Sequence, residues 1–143
     1  MPFKPAGAPS VTAYLVVKSV PRLVEFIQAV FGAVELDRTV GPDGRVMNAT
    51  LAIGDSRVMA GEAPPGRDPM GGMLYVYVPD TDAAYARALA AGATPVRPPS
   101  DQFYGDRSAG VRDGHGNEWW MATHVEDVSP GEVQRRVEAF AKK

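Results

Sequence analysis

A chain of 143 residues, 45% hydrophobic and 22% charged, is one ordinary globular domain or two half-domains sharing a core. Cysteine is absent, which excludes disulfides, thiolate metal centres and a cysteine nucleophile, and the two histidines, His115 and His124, cannot furnish a three-histidine zinc site. Fifteen Lys+Arg against seventeen Asp+Glu leave a net charge of −2, so nothing favours nucleic acid.

In chain order, MPFKPAGAPS (1–10) reads as a loose arm without the apolar stretch of a signal peptide. Val11–Val17 is β-branched and apolar on both faces, as a helix-covered strand should be. Pro21 opens a helix whose Leu23, Val24, Phe26, Ile27, Val30 and Phe31 recur at helical spacing, and Gly32 closes it. Val34–Val40 alternates as a half-exposed strand. Gly41-Pro42-Asp43-Gly44 turns the chain into a strand over Arg45–Ile53, and Gly54-Asp55 turns it again into Arg57–Ala60. Residues 62–72, rich in proline and glycine, read as a linker or lid.

The pattern then restarts. Met73–Val78 is a strand, Asp82–Ala91 an alanine-rich helix, and Thr94–Arg97 a strand that Pro98-Pro99 is expected to break. Phe103–Arg112 and Glu118–His124 are two further strands joined by Asp113-Gly114-His115-Gly116-Asn117. Ser129-Pro130-Gly131-Glu132 starts a final helix, with Val133, Val137 and Phe140 on one stripe. Strand–helix–strand–strand–strand therefore occurs twice. Val17 and Val78 lie 61 residues apart, Gly32 and Gly92 60, and Met59 and Met121 62. A near-constant offset marks an internal repeat.

This doubled pattern, with Val-Arg-Asp-Gly-His-Gly-Asn-Glu-Trp at 111–119, resembles the vicinal oxygen chelate superfamily, which includes glyoxalase I, extradiol dioxygenases and the fosfomycin- and bleomycin-resistance proteins. Tyr14–Val17, Gly41–Met47, Asp101–Arg107 and Ala122–Ser129 resemble, more narrowly, its PhnB-like branch. The resemblance implies an α+β fold of two βαβββ modules, 11–61 and 73–125, forming a curved mixed sheet around a cleft, plus a C-terminal helix in 126–143. Enzymes of the family hold a divalent metal at four cleft-facing positions. Those positions fall on Thr12, on Thr50 or Asn48, on Met73 and on Trp120. Neutral oxygens, a thioether and an indole supply no anionic charge to offset dehydration of a dication, so no metal and no other cofactor is expected.

Several side chains remain open to two readings. Trp119 and Trp120 point to opposite faces of one strand, and the resemblance implies that Trp119 is core and Trp120 faces the cleft, as a stacking wall or as a plug. His124 is a general base at the cleft mouth or a strand-end imidazole bonded to a carboxylate. Arg107 is an anion clamp or half of an ion pair fixing its loop. Thr12, Tyr14, Asn48 and Thr50 from one module, with Met73 and Tyr75 from the other, have the composition of a small-molecule pocket, and Phe103 or Tyr104 is placed to cover it. Two functions follow, beside a third possibility of an interaction domain with a filled cleft. One is sequestration of a small apolar or aromatic ligand by a cytoplasmic homodimer, as in bleomycin-resistance proteins, with no nucleic acid or membrane partner. The other is a lyase, isomerase or dioxygenase, metal-dependent or using Tyr75, Tyr104, His124 or Arg107 as acid, base or clamp.

Overall fold

The computed structural model describes residues 1–142. The first module comprises β1 (Ala13–Val17), α1 (Val20–Phe31), β2 (Val34–Val40), β3 (Val46–Ile53) and β4 (Ser56–Glu62). The second comprises β5 (Met73–Tyr77), α2 (Thr81–Ala90), β6 (Thr94–Asp101), β7 (Asp106–Arg112) and β8 (Glu118–His124), and α3 (Pro130–Ala141) follows. Each module folds into a four-stranded mixed sheet of the same order, β1-β4-β3-β2 and β5-β8-β7-β6. In each, the first strand pairs parallel with the last and the remaining pairs are antiparallel. The α+β architecture of two βαβββ modules and a terminal helix is thus present.

Local chemistry sets the helix ends. The Ser19 hydroxyl accepts the Arg22 N–H, Pro21 occupies the first turn of α1, and Gly32 at φ 65° closes the helix by donating its N–H to the Gln28 carbonyl. Leu23, Val24, Ile27 and Val30 bury one stripe of α1 against its sheet. α2 buries only Thr81, Ala84 and Ala88, and residues that small let it lie close to β7. The two modules meet through α1 against α2. Arg87 of α2 donates from Nε (3.1 Å) and Nη2 (3.0 Å) to the Val30 carbonyl, one of those a helix C-terminus leaves without an intrahelical partner.

Two strand boundaries differ from the sequence expectation by three residues or more. β6 runs on through Pro98 and Pro99 to Asp101 because it is the edge strand of its sheet, and its register skips from Arg97 to Ser100, so neither proline is asked for a ladder N–H. β7 begins at Asp106 rather than Phe103. Gly105, at φ 102°, turns the chain there, and its carbonyl accepts the N–H groups of Val125 and Glu126. The 62–72 connector is also tied down, since Val16 and Met70 exchange two 3.0 Å backbone hydrogen bonds along the free edge of β1.

Candidate functional site

Alternation along β8 divides the second sheet into two faces. Trp119 is 0% exposed, packed against Phe26 and Phe31 of α1, and its Nε1 donates to buried Asp113 at 2.8 Å. Trp120 points the other way. Across that open face Tyr75, Trp120, Gly110 and Arg97 stand in one row spanning all four strands. A Cβ at Gly110 would stand 2.7 Å from the indole, so the Trp120 ring lies flat over that glycine. The Arg97 guanidinium covers the ring at 4.7 Å from its centroid, and Trp120 Nε1 donates to Glu118 at 2.8 Å. In the next row Ala122 and Ser108, both fully buried, form a floor of small residues beside Tyr77.

At one end of this face sits a polar cluster. Asp106, 4% exposed, accepts from Tyr75 Oη (2.7 Å) and Tyr77 Oη (2.9 Å) through Oδ2, and its Oδ1 lies 2.9 Å from His124 Nδ1. His124 Nε2 lies 2.6 Å from Asp127 Oδ1. Burial alone would raise the Asp106 pKa, but the hydrogen bonds from His124 and both phenols outweigh it and hold the carboxyl below its ordinary range. His124 is raised, first by its bond to Asp106 and then by Asp127. Tyr75 is raised by burial and by its bonds to Asp106 and Tyr104, so its phenol keeps its proton. The cluster favours the protonated imidazole of His124 and the neutral phenols of Tyr75 and Tyr77.

The sequence-derived candidates fall into separate groups. Met73, Tyr75, Trp120 and His124 share the open face of the second sheet, and Tyr104 sits in the turn beside it. Asn48 and Thr50 lie in register with Gly61 and Met59, on a comparable row of the first sheet that also carries Tyr14, whose ring lies over Gly61. Thr12 precedes β1 and is half-buried. Among the described residues no hydrogen bond or ring contact joins the two rows. Arg107 belongs to neither: it turns toward α2 and pairs with Asp82 (2.7 Å) and Asp101 (3.2 Å), the loop-fixing reading.

Sequence reasoning missed Asp106 and Arg97. Asp106 shares parity with Ser108 and Gly110, so a strand beginning there would have placed it on the open face. Arg97 was obscured by the prolines that follow it.

The four family metal positions do not fit a cation. Their donors are neutral hydroxyl or amide oxygens, a thioether and an indole whose N–H is already given to Glu118, and Glu118 also pairs with Arg112 at 3.7 Å. Among the described residues no three His, Cys, Asp or Glu side chains stand close enough to hold a metal. No helix among them is long and apolar enough to cross a membrane. An open groove of about 570 Å³ runs beside β5, walled by Tyr75, Tyr77, Leu74 and Val76 on one side and by Ala13 and Val58 on the other. That volume is ordinary for a small-molecule site.

Comparison with known proteins agrees with this architecture. The model of the Glyoxalase/Bleomycin resistance protein/Dioxygenase superfamily matches residues 9–121. An uncharacterized protein of Mycobacterium tuberculosis strain H37Rv is 36% identical over 137 residues, covering 88% of this chain and 81% of the relative. TioX from Micromonospora sp. ML1 superposes with a TM-score of 0.68 at 27% identity, over 82% of this chain and 100% of that one. The fosfomycin resistance protein FosX from Mesorhizobium loti shares the fold at 18% identity and a TM-score of 0.59, over 87% and 95% of the two chains. The chain belongs to the Glyoxalase/Bleomycin resistance protein/Dioxygenase superfamily.

Proposed function

We propose that this protein binds a small, flat, largely apolar ligand against the open face of its second sheet without a metal, and that it sequesters the ligand rather than transforming it. The observation that carries this reading is the Tyr75–Trp120–Gly110–Arg97 row, in which the indole lies between Gly110 and the Arg97 guanidinium and the exposed Tyr75 ring stands beside it. Aromatic surface of this kind gains by covering a planar molecule. The donor set at the family metal positions supports the metal-independent part.

The active form in this reading is a cytoplasmic homodimer. Tyr14, Met73, Tyr75 and Tyr77 remain exposed, and a second copy laid over these faces completes a pocket that one chain leaves open. The motif stretches at 41–47 and 101–107 support a place in the PhnB-like branch.

A second reading, an acid–base enzyme, draws on one observation, the Tyr75–Asp106–His124 cluster. Both imidazole nitrogens of His124 are engaged by carboxylates and Tyr75 is raised, which favours binding over proton abstraction. Melting curves with a panel of planar aromatic compounds test the proposal. A ligand at about 100 times its Kd adds about 2.7 kcal/mol to stability. Shifts with such compounds and an unchanged amount of each after prolonged incubation support sequestration; turnover of a bound compound establishes the enzyme instead.

A further inference from the structure

We infer that Arg97 anchors an anionic group, so that the ligand of the second sheet is a flat apolar body carrying a carboxylate or phosphate; the inference rests on the binding reading above. Arg38, Arg45, Arg107, Arg112, Arg135 and Arg136 each pair with a carboxylate. Arg22, Arg57, Arg67, Arg87 and Arg97, among the described residues, do not, and of these Arg97 is the one on the open face of the second sheet. Its Nη2 donates to the Ser108 carbonyl (3.2 Å) and to the Ser108 hydroxyl, its Nη1 donates to nothing, and its buried Nε has no acceptor. Trp120 and Ser108 therefore position the guanidinium without neutralising it.

The other charges of this face are compensated. Glu118 is met by Arg112 and the Trp120 N–H, and Asp106 by His124 and two phenols. One positive charge is left over, half-buried against an indole, where an arriving anion is attracted more strongly than at an exposed site. A guanidinium also offers paired N–H donors that suit a carboxylate or phosphate. The row from Arg97 to Tyr75 crosses three strand spacings, about 14 Å, room for a two-ring body beside the anion. At the matching place of the first sheet, in register with Thr50, stands Asp37, so an anion is directed to the second sheet only.

The test uses the full chain and three probes: 2-naphthoate, its neutral analogue 2-naphthamide, and inorganic phosphate. Trp119 is fully buried, so quenching of tryptophan fluorescence reports on Trp120. The expected result is that naphthoate binds at least about tenfold tighter than naphthamide, that the gap narrows as salt is raised, and that phosphate competes with naphthoate. Arg97→Gln closes the gap by weakening naphthoate alone, whereas Arg97→Lys keeps part of it. Equal affinity of the two naphthalenes in the wild-type protein, or a preference that survives Arg97→Gln, overturns the anion anchor while leaving ligand binding standing. Absence of binding by both naphthalenes overturns the binding reading and the anchor with it. The wild-type comparison and the phosphate competition decide the matter even where a variant does not fold.

Discussion

Asp106 and His124 stand opposite one another in the β7–β8 ladder, 2.9 Å apart through Oδ1 and Nδ1, and the imidazole reaches on to Asp127 in the segment that leads to α3. One histidine thus ties the open face to the approach of the terminal helix. Because His124 is raised, its contribution to stability is fully present below its unfolded value of about 6.5 and is lost as pH rises through the higher folded value. Asp106, being lowered, contributes fully above its unfolded value of about 4 and loses that contribution as pH falls through the lower folded one. The pair is therefore strongest between those two unfolded values. Melting temperature of the wild type should decline relative to His124→Gln as pH rises above about 6.5. Parallel curves for the two proteins across that range would contradict the assignment.

Gly110 is the bed on which Trp120 lies. A Cβ there would come within 2.7 Å of the ring, so Gly110→Ala must lift the indole away from the sheet and from Arg97. Tryptophan emission should shift, and affinity for planar compounds should fall by about tenfold or more with the fold intact. Unchanged emission and affinity would remove Trp120 from the site.

Asp113 holds the β7–β8 turn by accepting the N–H groups of His115 (2.7 Å) and Asn117 (3.1 Å), the Asn117 side-chain amide (2.8 Å) and Trp119 Nε1 (2.8 Å). Asp113→Ala leaves buried donors without acceptors, each costing about 1–3 kcal/mol. Urea denaturation should show a loss of at least about 2 kcal/mol. A loss well below that would mean that water replaces the carboxylate.

The repeat, the helices and most strands were legible because apolar periodicity and glycine punctuation agree in both modules. Pro98 and Pro99 misled because edge position, which rescues them, is a property of strand order rather than of local sequence. The site was half legible. Parity set Trp119 and Trp120 on opposite faces, and the family resemblance assigned Trp120 to the cleft. The partners of Asp106 lie 29 and 31 residues away at Tyr77 and Tyr75, contacts that only the sheet order creates. Arg107 drew attention by standing next to Asp106, but alternation turns it to the helix side. Arg107→Ala should accordingly leave ligand affinity unchanged in the titrations that Arg97→Gln disturbs, and a parallel loss in both variants would contradict that division.

Metal dependence of ligand binding bears on the whole account. Calorimetric titration of the protein with a planar aromatic compound that shifts its melting, first in EDTA and then with nickel, zinc or manganese added, gives a direct answer. Affinity should stay the same throughout and collapse in Trp120→Ala. Binding that appears only once one of these cations is supplied would contradict the account.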